Sequence, residues 1–266
     1  MLLGRVKIIG LAIALASALA LCPSAHAAET GQSAPPAPAP ASTPQGVKSV
    51  EAVGKERGFL FYPSAPPAGK MRFSLGATYD FIDPAVMYGM NFRLPQLSLD
   101  ARYGLGKGWS LKGHLNSMFV VSELLFGGSY AQSLGRWSWE ASLSAGVFFG
   151  KLGQFGFDAI LVSADVRPEV ALGYDLGSVA LSLRGSLILM GPERVRVGDV
   201  WGGLDNASLF TGHSEMLYVE NTTQDDSIWY FGLGVMTTRA YYALWLLFPD
   251  SPSLYTYPRV VAGYEF

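Results

Sequence analysis

Two groups of residues in this chain have the chemistry to act. The first lies within residues 191–226, which hold His213, Ser214, Glu215, Asp225 and Asp226. A hydroxyl, an imidazole and a carboxylate can activate a nucleophile for hydrolysis if they converge on one reacting atom. Here the first three are consecutive, so on an extended segment their side chains diverge. Solvated loop polarity explains them as well. The second group is Arg72, Asp80, Asp100, Arg102, Lys112, His114, Glu123, Glu140, Arg167, Glu169, Asp175, Arg184, Arg259 and Glu265. Each falls on the polar side of an alternating stretch, and the two signs nearly balance. Charges withdrawn from water must be paired and hydrogen-bonded. The expectation is therefore an interlocked internal network, with a narrow polar passage or solute site as the alternative. The single-sign excess that would favour ion selectivity is absent.

Nothing in the chain predicts a metal or cofactor. His114 and His213 are the only histidines beyond His26, too few for a metal site, and no Gly-x4-Gly-Lys-Ser/Thr phosphate loop occurs. The net charge of -2, with no basic patch, excludes a nucleic-acid partner as an expectation.

The elements that must position the second group are strands. From Met71 onward the apolar period is two, the period of an extended chain. Phe73, Leu75, Ala77, Tyr79 and Phe81 alternate with polar or small residues. So do Leu97 to Leu105, Trp109 to Leu115 and a stretch near Val121 to Ala131. Trp137 to Phe149 is the cleanest example, and Val166 to Leu176 and Val179 to Leu189 follow it. Further strands are expected at Trp229–Val235, around Ala240–Phe248 (apolar on both faces) and at Tyr257–Phe266. None of the apolar-face positions so assigned is charged. On a lipid-facing wall a Lys or Arg costs roughly 2–4 kcal/mol at the midplane, so this segregation is what a bilayer demands. Trp109, Trp137, Trp139, Tyr79, Phe81, Phe149, Tyr174 and Trp229 sit near strand ends, as an interfacial girdle would.

Short links at 106–108, 134–136 and 176–177 alternate with longer ones near 82–94, 150–165, 191–226 and 249–256. The fold class predicted is all-β: an antiparallel up-and-down transmembrane β-barrel of about ten strands, with eight or twelve also satisfying the even count. That alternation puts short turns and both termini on the periplasmic side.

The chain has 266 residues, room for a leader, a linker and one domain of about 200 residues. Only 15% of residues are charged, 13% are aromatic and 31 are glycine, a composition unusual for a soluble enzyme. No run of roughly 20 apolar residues could cross a bilayer as a helix. Arg5 and Lys7, the apolar stretch Ile8 to Leu21, and Ala25-His26-Ala27 form a secretory signal peptide pattern, expected over 1–27. The only cysteine, Cys22, falls inside it and follows Leu21 where a lipobox wants a small residue, so neither disulfide nor lipid anchor is expected. Residues 28–70 read as a disordered periplasmic spacer, because Ala34-Pro35-Pro36-Ala37-Pro38-Ala39-Pro40-Ala41 favours extended polyproline II. Its charged part, 47–58, reads as solvated linker, with peptidoglycan contact or a lumen plug as the sharper alternative. The barrel is expected over 71–266.

At its end the chain resembles the bacterial outer-membrane β-barrel class. The residues that carry the resemblance are the final strand Tyr257 to Phe266, with Phe266 last and Tyr264 two positions before it. In that class such an ending resembles the signal read by the barrel-assembly machinery. The resemblance implies a Gram-negative outer-membrane location, lipopolysaccharide-containing lipid around the wall, and periplasmic chaperones during transit. It implies nothing about activity.

The function expected is a non-enzymatic structural barrel or a porin-like narrow pore for small solutes. Its lumen network would comprise Arg72, Asp100, Arg102, Lys112, His114, Glu140, Arg167, Glu169, Arg184 and Arg259. The alternatives are an outer-membrane hydrolase acting on lipid A or peptides, and a surface-binding protein using the long loop 191–226.

Overall fold

The computed structural model describes residues 59–82, 95–118, 120–152, 158–204, 209–222, 228–239 and 254–266. The signal pattern, the Pro/Ala tract, the 47–58 segment, the expected strand at Ala240–Phe248, and Asp225 and Asp226 lie outside them. Among the described residues no helix is long and apolar enough to cross a membrane, which says nothing of strands.

Eleven strands follow in chain order: β1 (Met71–Asp80), β2 (Gln96–Gly106), β3 (Trp109–Ser117), β4 (Val121–Leu134), β5 (Trp137–Leu152), β6 (Ala159–Asp175), β7 (Val179–Val197), β8 (Val200–Leu204), β9 (Phe210–Thr222), β10 (Ile228–Arg239) and β11 (Leu254–Glu265). All pairings are antiparallel, and each strand of the wall pairs with its neighbour in sequence except where β7 joins β9. The β6–β7 pairing and the β1–β11 seam close the sheet into a ten-stranded barrel. β8 stands outside the ring, as a short hairpin on the far end of β7. The seam runs from Asp80 opposite Arg259 to Ser74 opposite Glu265, and the last residue extends it: Phe266 and Phe73 exchange backbone hydrogen bonds of 2.9 and 3.2 Å. Closure pairs both edges of each of the ten wall strands, and among the described residues only the short β8 keeps an outer edge, the kind of edge that could template another chain.

The ten-strand count is as the sequence indicates, but one of the strands is not. The stretch read as a single long loop, 191–226, contains the end of β7, the β8 hairpin and the whole wall strand β9. β9 escapes a period-two reading because His213, Ser214 and Glu215 are polar on both faces. The loop read over 191–226 is corrected accordingly: residues 210–222 are barrel wall.

The outward face is apolar and open. Phe126 is 63% exposed, Leu143 58% and Leu183 55%. At the end with short turns, ring contacts link the outward aromatics across neighbouring strands. Trp109 meets Tyr130 (5.1 Å between centroids), Tyr130 meets Trp139 (5.7 Å), and Trp137 meets Tyr174 (4.8 Å). Past the seam, Trp229 meets Tyr264 (5.1 Å), and Phe266 lies between Tyr264 and Phe73. At the opposite end Tyr79 and Phe81 pack together at 4.8 Å.

Residues 59–66, near the end of the stretch read as spacer, pack inside the ring at its short-turn mouth. Phe59, Leu60 and Tyr62 are buried there. Phe59 and Tyr62 cluster with Ala180 and Ile228, while Phe61 packs on Tyr218 and Tyr230. Two wall glycines make room for this strap. A Cβ on Gly173 would stand 2.4 Å from Pro63 Cδ, and one on Gly104 would stand 2.2 Å from the Pro66 carbonyl oxygen. The lumen is filled at the long-loop end as well, by an apolar cluster that includes Val121, Phe148, Leu161, Ile188, Met190 and Tyr257.

Candidate functional site

Between these two apolar closures lies the polar middle of the barrel. Its side chains come from every second wall residue, the geometry that strand alternation dictates. Arg102 is 2% exposed and Glu140 1%, and they pair directly. Arg102 also donates from Nε to Ser110 Oγ (2.9 Å) and from Nη2 to Ser129 Oγ (3.2 Å). Lys112 Nζ joins Glu140 (3.2 Å) to Glu169 (2.7 Å) and reaches Ser142 Oγ at 3.3 Å. Arg184 Nη1 completes the knot, 2.6 Å from Glu169 and 3.6 Å from Glu140. Three cations thus surround two carboxylates. Two backbone carbonyls of the strap take up the remaining donors: Leu60 O accepts from Arg102 at 3.3 Å, and Phe61 O accepts from Arg184 Nε at 2.9 Å.

The strap is held by carboxylates too. Glu265 accepts the Leu60 N–H (3.0 Å) and Glu220 accepts the Phe61 N–H (2.7 Å), while Arg72 donates to the Phe59 carbonyl (3.2 Å). Tyr62 donates its hydroxyl to the Arg136 carbonyl at 3.2 Å. Burial, helped by the carboxylate of Asp175, pushes that phenol up to about 12, so it remains a donor. The strap lacks a strand of its own to satisfy its backbone, and these side chains supply the partners that buried N–H and C=O groups require.

Nearer the long-loop end the pairs are separate. Arg259 forms a two-pronged contact with Asp80 (2.6 and 2.7 Å), and Gln96 Nε2 donates to the same carboxylate at 3.0 Å. Arg167 pairs with Glu123 and with Asp165 (3.1 Å), and His114 Nδ1 lies 2.7 Å from Asp100. Beside these pairs lies a cavity of about 160 Å³ lined by Asp100, Lys112, His114, Arg167, Glu169 and Tyr218 among others. That is room for several waters, and its polar lining offers them partners.

The structure therefore brings Arg102, Lys112, Glu140, Glu169 and Arg184 into one network, places Asp100, His114, Arg167 and Arg259 in pairs along the same lumen, and sets Arg72 on the strap. Asp175 instead caps a turn, accepting the Gly177 N–H at 2.7 Å. Tyr264 lies on the outward face with Phe266. His213, Ser214 and Glu215 do not converge. Ser214 points inward and bonds Ser186 Oγ at 2.9 Å, whereas His213 and Glu215 pair at 2.6 Å on the outward face. Sequence reasoning missed Asp165, Tyr218 and Glu220, and missed the strap. The one available signal for the strap was Phe59-Leu60-Phe61-Tyr62, an apolar run that a solvated linker does not need. Among the described residues, no group of three or more His, Cys, Asp or Glu could hold a metal ion.

No protein-family model matches this chain, and no curated protein matches it either.

Proposed function

We propose that this protein is an integral barrel of the Gram-negative outer membrane whose lumen is closed, a structural scaffold rather than a diffusion pore. The observation that carries the reading is the opposition of the two faces. Leu143 and Leu183 stand more than half exposed on the outside, while Arg102 and Glu140 are sealed within. In water that arrangement leaves a large apolar surface unsatisfied; in a bilayer it is the stable one. The aromatic contacts at the short-turn end support an interfacial girdle there. On this reading that end, with the strap, is periplasmic. The surrounding lipid includes lipopolysaccharide, and the Tyr264 and Phe266 ending engages the barrel-assembly machinery after chaperoned transit. The Pro/Ala tract provides reach toward peptidoglycan.

Closure is supported at three levels. A ten-stranded barrel is narrow enough for side chains to fill. The strap occupies the periplasmic mouth, and the Phe148 and Leu161 cluster occupies the far end. The test is fractionation followed by planar-bilayer recording of the refolded full chain. Recovery in the outer membrane with a flat current trace is the expected result. Recovery as a dissolved periplasmic protein would overturn the location, and steady unitary conductance would overturn the closed lumen.

A further inference from the structure

On β9 the outer wall carries an ionisable pair. On β9 the outward positions are His213, Glu215, Leu217 and Val219, and the first two are hydrogen-bonded, Nδ1 to Oε1, at 2.6 Å. Glu215 sits opposite Gly185 on β7 and Val235 on β10, while His213 sits opposite Leu187 and Thr237. Thr237 in turn bonds Thr256 on β11 at 2.8 Å, so the polar trace continues across three strands. Depth follows from register. Trp229, in the girdle, is six residues below Val235 on β10. Six residues of a strand tilted by about 40° rise roughly 15 Å, against an apolar band of about 25 Å. Glu215 is therefore near the middle of the bilayer on the membrane reading proposed above, on which this inference rests.

An ionisable pair at that depth, on the lipid side, marks a site where something other than hydrocarbon contacts the wall. We infer that the β7–β9–β10 face is a dimer interface with a second copy of this chain. The pair is self-complementary. Its internal bond uses His213 Nδ1, which leaves the Nε2 edge to donate to Glu215 of the second copy, whose His213 returns the same bond. Each His213 then bridges its own Glu215 and that of the second copy, and the four side chains form one closed ring. Both copies enter the membrane in the same orientation, so the two-fold axis must run along the membrane normal. Such an axis brings equal depths together, as an isologous contact requires. The packing fits as well. A Cβ on Gly185 would meet nothing within 4 Å, so Gly185 is a hollow. It is flanked by Leu183 and Leu217, both strongly exposed and available as knobs for the opposing hollow. The opposite wall, where Phe126 stands on β4, carries a hydroxyl pair, Ser117 with Ser122 at 2.8 Å, but no ionisable pair among its described residues.

The experiment is subunit counting by stepwise photobleaching of the singly labelled full chain in phosphatidylcholine vesicles. Insertion is checked separately by the heat-dependent gel mobility of a folded barrel. The expected result is two-step bleaching for the parent and a shift to one step for Gly185→Trp and for the His213→Leu/Glu215→Leu pair, with Phe126→Trp unchanged. One-step bleaching of inserted parent protein would overturn the dimer while leaving the membrane barrel intact. So would equal loss of two-step traces in Phe126→Trp. A cross-link in native membranes to a different protein, with one-step counting, would replace the second copy with that partner. Failure of the folded parent to enter vesicles would instead overturn the membrane reading itself.

Discussion

Arg184 and Phe61 are 123 residues apart in sequence, and the guanidinium of the first holds the carbonyl of the second from Nε at 2.9 Å while Nη1 pairs with Glu169. The strap and the lumen network are thereby one structure. Replacing Arg184 with Leu should loosen the strap without removing any strap residue. A cysteine at Leu60, in a chain whose Cys22 is replaced by Ala, should react slowly with a water-soluble maleimide in the parent and much faster with Arg184→Leu added. Equal rates in the two backgrounds would show that the strap is held without this contact.

Steric eviction tests the same docking by another route. Gly173→Val directs methyl groups at Tyr62 and Pro63, which already lie within 2.7 Å of where a Cβ would stand. The expected outcome is fast maleimide reaction at Leu60→Cys with the ring still folded, read from unchanged heat-dependent mobility. Slow labelling in this variant would mean that the wall, rather than the strap, yields.

The two apolar closures act in series, so opening one leaves the other shut. Deletion of residues 59–66 should give no steady current in planar bilayers. The same deletion combined with Phe148→Ala and Leu161→Ala should conduct. Current from the single deletion would place the whole barrier at the strap, and silence from the combination would place it in the charged middle.

The Arg102 and Glu140 pair allows an energetic prediction. Removing one partner of a buried ion pair costs about 3–5 kcal/mol, because the other is left without compensation, whereas removing both is often far milder. Arg102→Leu and Glu140→Leu should each lower the urea midpoint of the refolded barrel strongly. The double variant should fall by less than the sum of the two, since Lys112 and Arg184 remain to neutralise Glu169. Additive losses would show that the two side chains do not act as a pair.

How far the sequence speaks depends on the element. β5 is legible residue by residue, because Trp137 to Val147 alternates without a break and its inward Glu140 and Ser142 are both in the network. β9 is illegible for a physical reason: a wall strand that carries His213 and Glu215 outward as well as Ser214 inward has no apolar face over that stretch. The strap is obscured by its surroundings, since Pro63, Pro66 and Pro67 give Phe59 to Tyr62 the look of a continuing spacer. The identity of the lumen residues follows from alternation, but their partners do not. Lys112 on β3 meets Glu169 three strands away on β6, a choice set by barrel register that no local pattern encodes.

Glu265, the penultimate residue, both belongs to the seam strand and receives the Leu60 N–H. The strap precedes every wall strand in the chain, and its anchor lies on the strand that closes the ring. A chain cut short before β11 would lack a closed ring and, by the same omission, a fastening for its own amino-terminal segment. One strand thus governs both events, and the wall cannot shut at its seam apart from the contact that fastens the strap.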